Sequence, residues 1–262
     1  MRLAQPTLPL CDTRFVTPKF RAWLLIAIVC AVCGLTLWGV VWYRSRALTP
    51  AAMLKRLPTD NALIVYIDFS RLRAGGILQL LDGSKVGEDP EYRTFVRKTD
   101  FDYKQDLDAA VLAFAPAGRF MLLKGRFDWK SLTSYVRAEG GKCNNSFCQM
   151  GGSTPERHIS FFPMQSNLMA LAVSPEEDAA HHMSDIDPRP DREIPNAPIW
   201  LSIPPSVVNS GQTLPPGTQM FARSLQHAQA VTLAIVPEGQ RFAAKLNVLC
   251  ASAGDATGLA AE

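Results

Sequence analysis

The segment EEDAAHHMSDID, residues 176–187, concentrates the side chains best suited to chemistry: Asp178, His181, His182 and Asp185. On a helix, Asp178, His182 and Asp185 stand at i, i+4 and i+7 and share one face, with His181 beside them. Imidazole nitrogen and carboxylate oxygen together make a donor set for a divalent metal. No HExxH spacing accompanies them. An exposed helix end explains the same residues, with acids near the amino end and histidines near the carboxyl end, as the helix dipole favours. A metal-dependent enzyme using this cluster is therefore the alternative functional reading, and the leading one expects no metal and no cofactor.

Other candidates resolve more easily. Cys143 and Cys148 bracket NNSF, and a turn at Asn144-Asn145 would bring two strands together. Outside the cytoplasm that geometry allows a cross-hairpin disulfide; otherwise the pair are free thiols, and no second ligand pair lies nearby to complete a zinc site. NNS at 144–146 also matches a glycosylation acceptor. Asp100, Asp102, Asp106 and Asp108 begin like a calcium loop, but Gln105 stands where the glycine is required and Val111 where the bidentate glutamate is. KGRFDWKSL, residues 124–132, looks catalytic yet reads as a strand-to-helix elbow. Gly125 ends a strand, Asp128 caps a helix, Phe127 and Leu132 occupy hydrophobic-staple positions, and Gly140-Gly141 stop the helix. The chain has no G-x-S-x-G, no phosphate loop and no G-x-G-x-x-G.

The charge distribution says where such a body sits. The net charge of +3 lies wholly in residues 1–21, and residues 44–262 balance to zero. A neutral body lacks the basic stripe that phosphate binding needs, so nucleic acid is not an expected partner. Between those parts, AWLLIAIVCAVCGLTLWGVVWY, residues 22–43, carries no charge over 22 residues. About 20 helical residues cross roughly 30 Å of hydrocarbon, and Trp23, Trp38, Trp42 and Tyr43 stand where headgroups favour amphipathic rings. The run is too long for a signal-peptide core and no small-x-small site comes after it. It is expected to be a transmembrane anchor in contact with the lipid bilayer. Flanking charges tie, with Arg2, Arg14, Lys19 and Arg21 against Arg44, Arg46, Lys55 and Arg56. A short basic tail ahead of a single anchor favours export of the chain beyond the anchor, so the soluble part is placed outside the cytoplasm.

The expected organisation is a basic cytoplasmic tail (1–21), the anchor (22–43), a juxtamembrane linker (44–59), an α+β unit (60–183), a proline-rich charged linker (184–198) and a second, incomplete α+β unit (199–262). Residues 62–69 read as a strand, and LDAAVLAFAPAGRFMLLKG as two strands turning at Pro116-Ala117-Gly118. A helix is expected from about Pro90 to Lys98. RHISFFPMQSNLMALAVS should form two strands, with Ser174 capping the next helix in a box with Glu177. AVTLAIVPEGQRFAAKLNVLC reads as a hairpin, and Asp255 as the opening of a last helix. A strand, a serine and an Asp-Ala helix start recur at LALAVSPEEDAA and KLNVLCASAGDAT, which suits a repeated unit. Short turns between strands imply a mainly antiparallel sheet with helices packed on one face.

PTDNALIVYIDFSRLRAGG, FDYKQDLDAAVLAF, LLKGRFDWKSLTSYV and AVTLAIVPEGQRFAAKLNV together resemble uncharacterised bacterial single-pass, membrane-anchored envelope proteins of the DUF3352-like type. The resemblance spans about residues 58–258. It implies an anchor ahead of α+β units and brings no catalytic residue. The expected function is a non-enzymatic binding or structural module of the cell envelope, with an envelope protein or polymer as partner.

Overall fold

The computed structural model describes residues 18–46, 49–78, 90–184, 194–210, 225, 228–238 and 241–261, and the side chains of the first helix from 26 to 40. Two compact units divide the chain, Met1–Ala47 and Leu48–Glu262. The first contains α1, Pro18–Arg46, a helix of 29 residues. Its described side chains are exposed, among them Ile26, Val29, Leu35 and Trp38. Among the described residues, no helix is long and apolar enough to cross a membrane. Residues 26–40 are only part of the uncharged run 22–43.

The second unit is α+β and is built on one ten-stranded sheet, every adjacent pair antiparallel. Its strands are β1 (Leu63–Ile67), β2 (Leu107–Ala115), β3 (Gly118–Gly125), β4 (Lys142–Asn144), β5 (Phe147–Gly151), β6 (His158–Gln165), β7 (Leu168–Ser174), β8 (Ile199–Ile203), β9 (Ala228–Glu238) and β10 (Arg241–Cys250). They lie side by side as β10-β9-β8-β1-β2-β3-β7-β6-β5-β4. Residues 60–183 and 199–262 thus share a sheet, because β8 pairs with β1. The segment just before β8 is packed rather than loose: Ala197 is buried and the Asp68 amide donates to the Pro198 carbonyl at 2.7 Å.

The described helices of this unit are α2 (Pro50–Leu54), α3 (Phe69–Ala74), α4 (Pro90–Thr99), α5 (Tyr103–Asp106), α6 (Trp129–Ala138), α7 (Ala179–His182), α8 (Pro205–Ser210) and α9 (Ala253–Ala261). They cover both faces of the sheet, which corrects the expectation of one covered face. On one face Ile64, Val111, Leu122 and Ala170 meet Met53 and Leu54 of α2 and Ala179 and Ala180 of α7. On the other, Ala110 and Leu112 meet Phe69 and Leu72 of α3, while Met169 and Phe161 meet Leu132 and Val136 of α6. The reason is visible in the strands. β2, β3 and β7 carry apolar residues at odd and even positions alike, so neither face can be left to water.

The elbow at 124–132 forms as its residue types require. Gly125 sits where a Cβ would collide with the Asp106 carbonyl oxygen, and its amide donates to the Asn167 carbonyl at 3.0 Å. Asp128 Oδ1 accepts the Lys130 and Ser131 amides at 3.0 and 3.2 Å, and Phe127 packs in the cluster that buries Leu132. Gly140 takes φ +82°, and the Gly141 amide closes onto the Val136 carbonyl at 2.8 Å, ending α6.

Two helix starts differ from expectation. Ser174 ends β7 opposite His158 instead of capping a helix; its hydroxyl donates to the Ala117 carbonyl at 3.2 Å and accepts the Glu176 amide at 3.2 Å. Cross-strand pairing therefore outcompetes the capping box, and α7 begins only at Ala179. In α9 the cap is Ser252, whose Oγ accepts the Asp255 amide at 3.1 Å, so Asp255 lies inside the first turn rather than before it. The sequence TQMFARSLQHA, residues 218–228, also allows a short helix, but all of it except Leu225 and Ala228 lies outside the described residues.

The placement of the core has a direct test. Leu122 is fully buried, whereas Leu249 on β10 is 61% exposed. Leu122→Ala should lower unfolding free energy by about 2–5 kcal/mol and Leu249→Ala by less than about 0.5 kcal/mol, compared by urea unfolding. Equal effects would contradict the assignment of Leu122 to the centre of the core.

Candidate functional site

The acid–histidine cluster is assembled differently from its sequence spacing. α7 spans four residues, Ala179–His182, too short to carry the face shared by positions 178, 182 and 185. Asp185 lies outside the described residues. His181 points elsewhere: its ring meets Phe162 at 5.5 Å and Phe147 at 6.1 Å between centroids. Glu176 joins Asp178 and His182 instead, with one ligand atom from each lying within 4.8 Å of the others. All three residues are exposed, and His182 Nε2 stands 3.4 Å from Asp178 Oδ2. That pair is an i, i+4 contact in water, worth a few tenths of a kcal/mol at most. Asp178 makes no capping hydrogen bond to anchor it. Among the described residues nothing buried orients the three groups, as metal ligands are ordinarily oriented by the hydrogen bonds behind them.

Three of the acids at 100–108, Asp102, Asp106 and Asp108, are engaged by local amides or by arginines. Asp102 caps α5 by accepting the Lys104 amide at 2.9 Å, and Asp106 accepts the Asp102 amide at 2.9 Å while pairing with Arg126 at 2.9 Å. Asp108 lies 3.6 Å from Arg73. They radiate to separate partners instead of converging on one point. Cys143 and Cys148 face each other across the β4–β5 hairpin and are joined by a disulfide. The left-handed turn residues are Asn145 and Ser146, one position later than Asn144-Asn145, because Asn144 is already paired with Phe147. Cys148 is also core, packed with Leu132 and Val136 under α6.

Sequence spacing missed a polar cleft of about 440 Å³ gathered from distant segments, whose lining includes Tyr66, Asp68, Arg71, Asp108, Lys124 and Asn196. Asp68 is its hub. Its Oδ1 accepts the Arg71 amide at 2.8 Å and the Ser70 hydroxyl at 2.6 Å, capping α3, and its Oδ2 faces the Tyr66 hydroxyl at 3.4 Å. Arg71 reaches across to Asn196 Oδ1 at 3.1 Å, tying α3 to the strand entering β8. Tyr66 also stacks on Trp200, ring centroids 5.8 Å apart. Trp200 is buried, and its Nε1–H has no acceptor among the described residues. Burial, and then the charge of Asp68, push the Tyr66 hydroxyl up to about 12. A proton held that firmly makes Tyr66 a hydrogen-bond donor rather than a base at neutral pH. Asp68 is occupied as a cap. The cleft therefore presents polar groups suited to recognition. Only the D-F-S-R elbow in YIDFSRL signalled part of it; Lys124 and Asn196 arrive through strand pairing that local sequence does not encode.

Comparison with known proteins adds little. No family model matches the chain, and no curated protein matches it. Among solved structures, crystal form IV of TP0453 is similar at 11% identity and a TM-score of 0.48, covering 74% of this chain and 79% of that one. Form III is similar at 12% identity and a TM-score of 0.48, covering 76% and 80%. Form I stands at 13% identity and a TM-score of 0.45, covering 76% and 78%. These likenesses are too distant to bear on function.

Two outcomes are expected. The Tyr66 hydroxyl titrates near 12 when folded and near the ordinary tyrosine value of 10 when unfolded. Its contribution to stability is therefore complete below pH 10 and is lost as pH rises toward 12. Urea midpoints of the wild type should fall more steeply across that window than those of Tyr66→Phe; parallel curves would contradict the shift. For the exposed cluster, elemental analysis of the purified chain should find no stoichiometric divalent metal, and His182→Ala should leave metal content and melting temperature unchanged. One bound metal per chain, lost in His182→Ala, would establish the alternative reading.

Proposed function

We propose that this chain is a single-pass envelope protein of the DUF3352-like kind. In this reading α1 tethers to a bilayer a folded body that faces away from the cytoplasm and binds an envelope protein or polymer without catalysis. The observation that carries the reading is the coincidence of the uncharged run 22–43 with one unbroken helix, Pro18–Arg46, in a unit separate from the compact unit Leu48–Glu262. An apolar helix with exposed Ile26, Val29, Leu35 and Trp38 is costly in water and favourable in hydrocarbon. The Cys143–Cys148 bond supports export, since such bonds persist in oxidising compartments. The cleft around Asp68 supports binding over turnover, because its carboxylate and tyrosine are committed to structural hydrogen bonds.

A metal-dependent enzyme is the second reading, favoured only by the proximity of Glu176, Asp178 and His182.

Fractionation tests the tether. Full-length chain should sediment with membranes, resist a high-pH wash and enter solution only with detergent. In intact cells an external protease reaching the envelope should degrade the body, and Cys143 and Cys148 should react with a thiol reagent only after reduction. Untrimmed chain in the detergent-free supernatant would end the anchor reading. A body shielded from protease, with both thiols free, would reverse the orientation.

A further inference from the structure

At the end of the sheet where β2 turns into β3, a second cavity of about 440 Å³ opens, distinct from the polar cleft. Its wall begins with a cross-strand row. Leu63 of β1 pairs with Phe114 of β2, Phe114 with Arg119 of β3, and Arg119 with Val173 of β7. Directly paired residues of an antiparallel sheet point to the same side, so these four side chains stand in line. They continue the face of Leu112, yet Phe114 remains 37% exposed while Leu112 packs in the core cluster beneath α3. The apolar row thus runs out from under its helical cover into an open cavity.

The rest of the lining sharpens the chemistry. It includes the prolines at 116 and 175, the alanines at 115 and 117, and one more guanidinium, Arg157, from the loop before β6. The lining holds two arginines and no acidic residue. Among the described residues neither guanidinium has a carboxylate within ion-pair distance, although Arg73 and Arg126 elsewhere do. The one lining hydroxyl, on Ser174, is already satisfied by the Ala117 carbonyl and the Glu176 amide. The rim is rigidly set: a Cβ on Gly118 would stand 2.7 Å from the Val173 carbonyl oxygen, and Gly118 has φ +150°. The turn can approach β7 this closely only with glycine.

A mostly apolar concavity of this size with a few convergent polar groups is the usual form of a small-molecule site. Guanidinium forks match carboxylates in bidentate fashion and lose little by partial desolvation. We propose that this cavity binds a small amphipathic carboxylate, its apolar body against Phe114, Leu63 and Val173 and its anionic group on Arg119 and Arg157. The inference goes beyond the proposed function, with a separate cavity and a small ligand in place of an envelope protein or polymer, and is independent of the tether: fractionation and ligand binding can fail separately.

The test uses the full chain in lipid nanodiscs, with empty nanodiscs as blank, and 2-naphthoate as probe in equilibrium dialysis. One saturable site per chain is expected. The double variant Arg119→Gln/Arg157→Gln should weaken binding about tenfold or more, as loss of charged hydrogen bonds does. Phe114→Glu, which sets an acid at an exposed position of the row, should abolish it. The neutral amide of the same ring system should bind the unaltered chain at least about tenfold more weakly, and this arm decides the charge requirement even if a variant fails to fold. Absence of saturable binding would overturn the proposal. So would equal affinity for naphthoate and its amide, or binding that survives both sets of substitutions in folded protein.

Discussion

Burial of both faces of β2, β3 and β7 is the constraint on which the rest of the body depends. LDAAVLAFA, RFMLLKG and LMALAVS carry apolar side chains at nearly every position, so three adjacent strands must each find cover above and below. A sheet with one solvated face would leave Leu112, Leu123 and Leu171 in water, at roughly 1.5–3 kcal/mol for each large side chain. The chain meets this with α3, α4 and α6 over one face and α2 and α7 over the other. Small residues decide how close the cover comes. Ala170 and Ala172 in β7 lie under Ala179 and Ala180 of α7, and the buried Ser160 hydroxyl oxygen accepts the otherwise orphaned Ala180 amide at 3.1 Å. Both cavities arise from the same constraint, for they lie where covering elements stop or meet: the polar cleft beside α3 and the entry to β8, the apolar one where the row through Phe114 emerges.

The residues that look most like chemistry are consumed by the turns that make this cover possible. Asp68 and Asp128 do the same work at two places. Each comes after a strand, accepts amides of the next turn, and precedes an aromatic and then a leucine that enter the core, Phe69 and Leu72 in one case and Trp129 and Leu132 in the other. Hydrogen bonds from the Ser131 hydroxyl and amide hold the Asp128 carboxyl below the usual carboxylate range. A perturbed carboxylate here reports a helix cap, not a catalytic acid. Tyr92 shows the opposite sign for a related reason: burial and a 2.8 Å hydrogen bond to Asp102 raise its hydroxyl, fastening α4 to the cap of α5.

Elements governed by near neighbours in sequence were legible, and those governed by distant pairing were not. Pro116-Ala117 turns β2 into β3, Pro90–Thr99 is helical and Gly125 ends its strand, because turn propensity, periodicity and steric freedom act within a few residues. Ser174 shows where that logic stops. Its local spacing is a good capping box, but pairing with His158 keeps it in β7, and the helix expected to carry Asp178, His182 and Asp185 on one face shrinks to Ala179–His182. The insertion of β8 beside β1 had no local signal either, since IWLSI would pair as readily with many apolar strands. The candidate sites divide in the same way. The histidine cluster was conspicuous in sequence and is exposed in the fold, whereas both cavities bring together residues far apart in the chain and could be found only once the strands were in register.

The two edges of the sheet are guarded by different means, and the difference stems from their lengths. β4 offers three residues and is fastened to β5 by the disulfide, leaving little backbone for another strand to pair with. β10 offers ten, and Phe242, Leu246 and Leu249 along it are exposed. Such an edge would template pairing with another chain were it uniformly apolar. Lys245, midway along β10 and opposite Ala234, places a charge that an added strand would have to desolvate. Val248 is drawn instead toward Val231 and Leu259 of α9, so the far end of the strand is turned to its own helix. On this long edge one lysine and one returning helix thus oppose the pairing that its length invites.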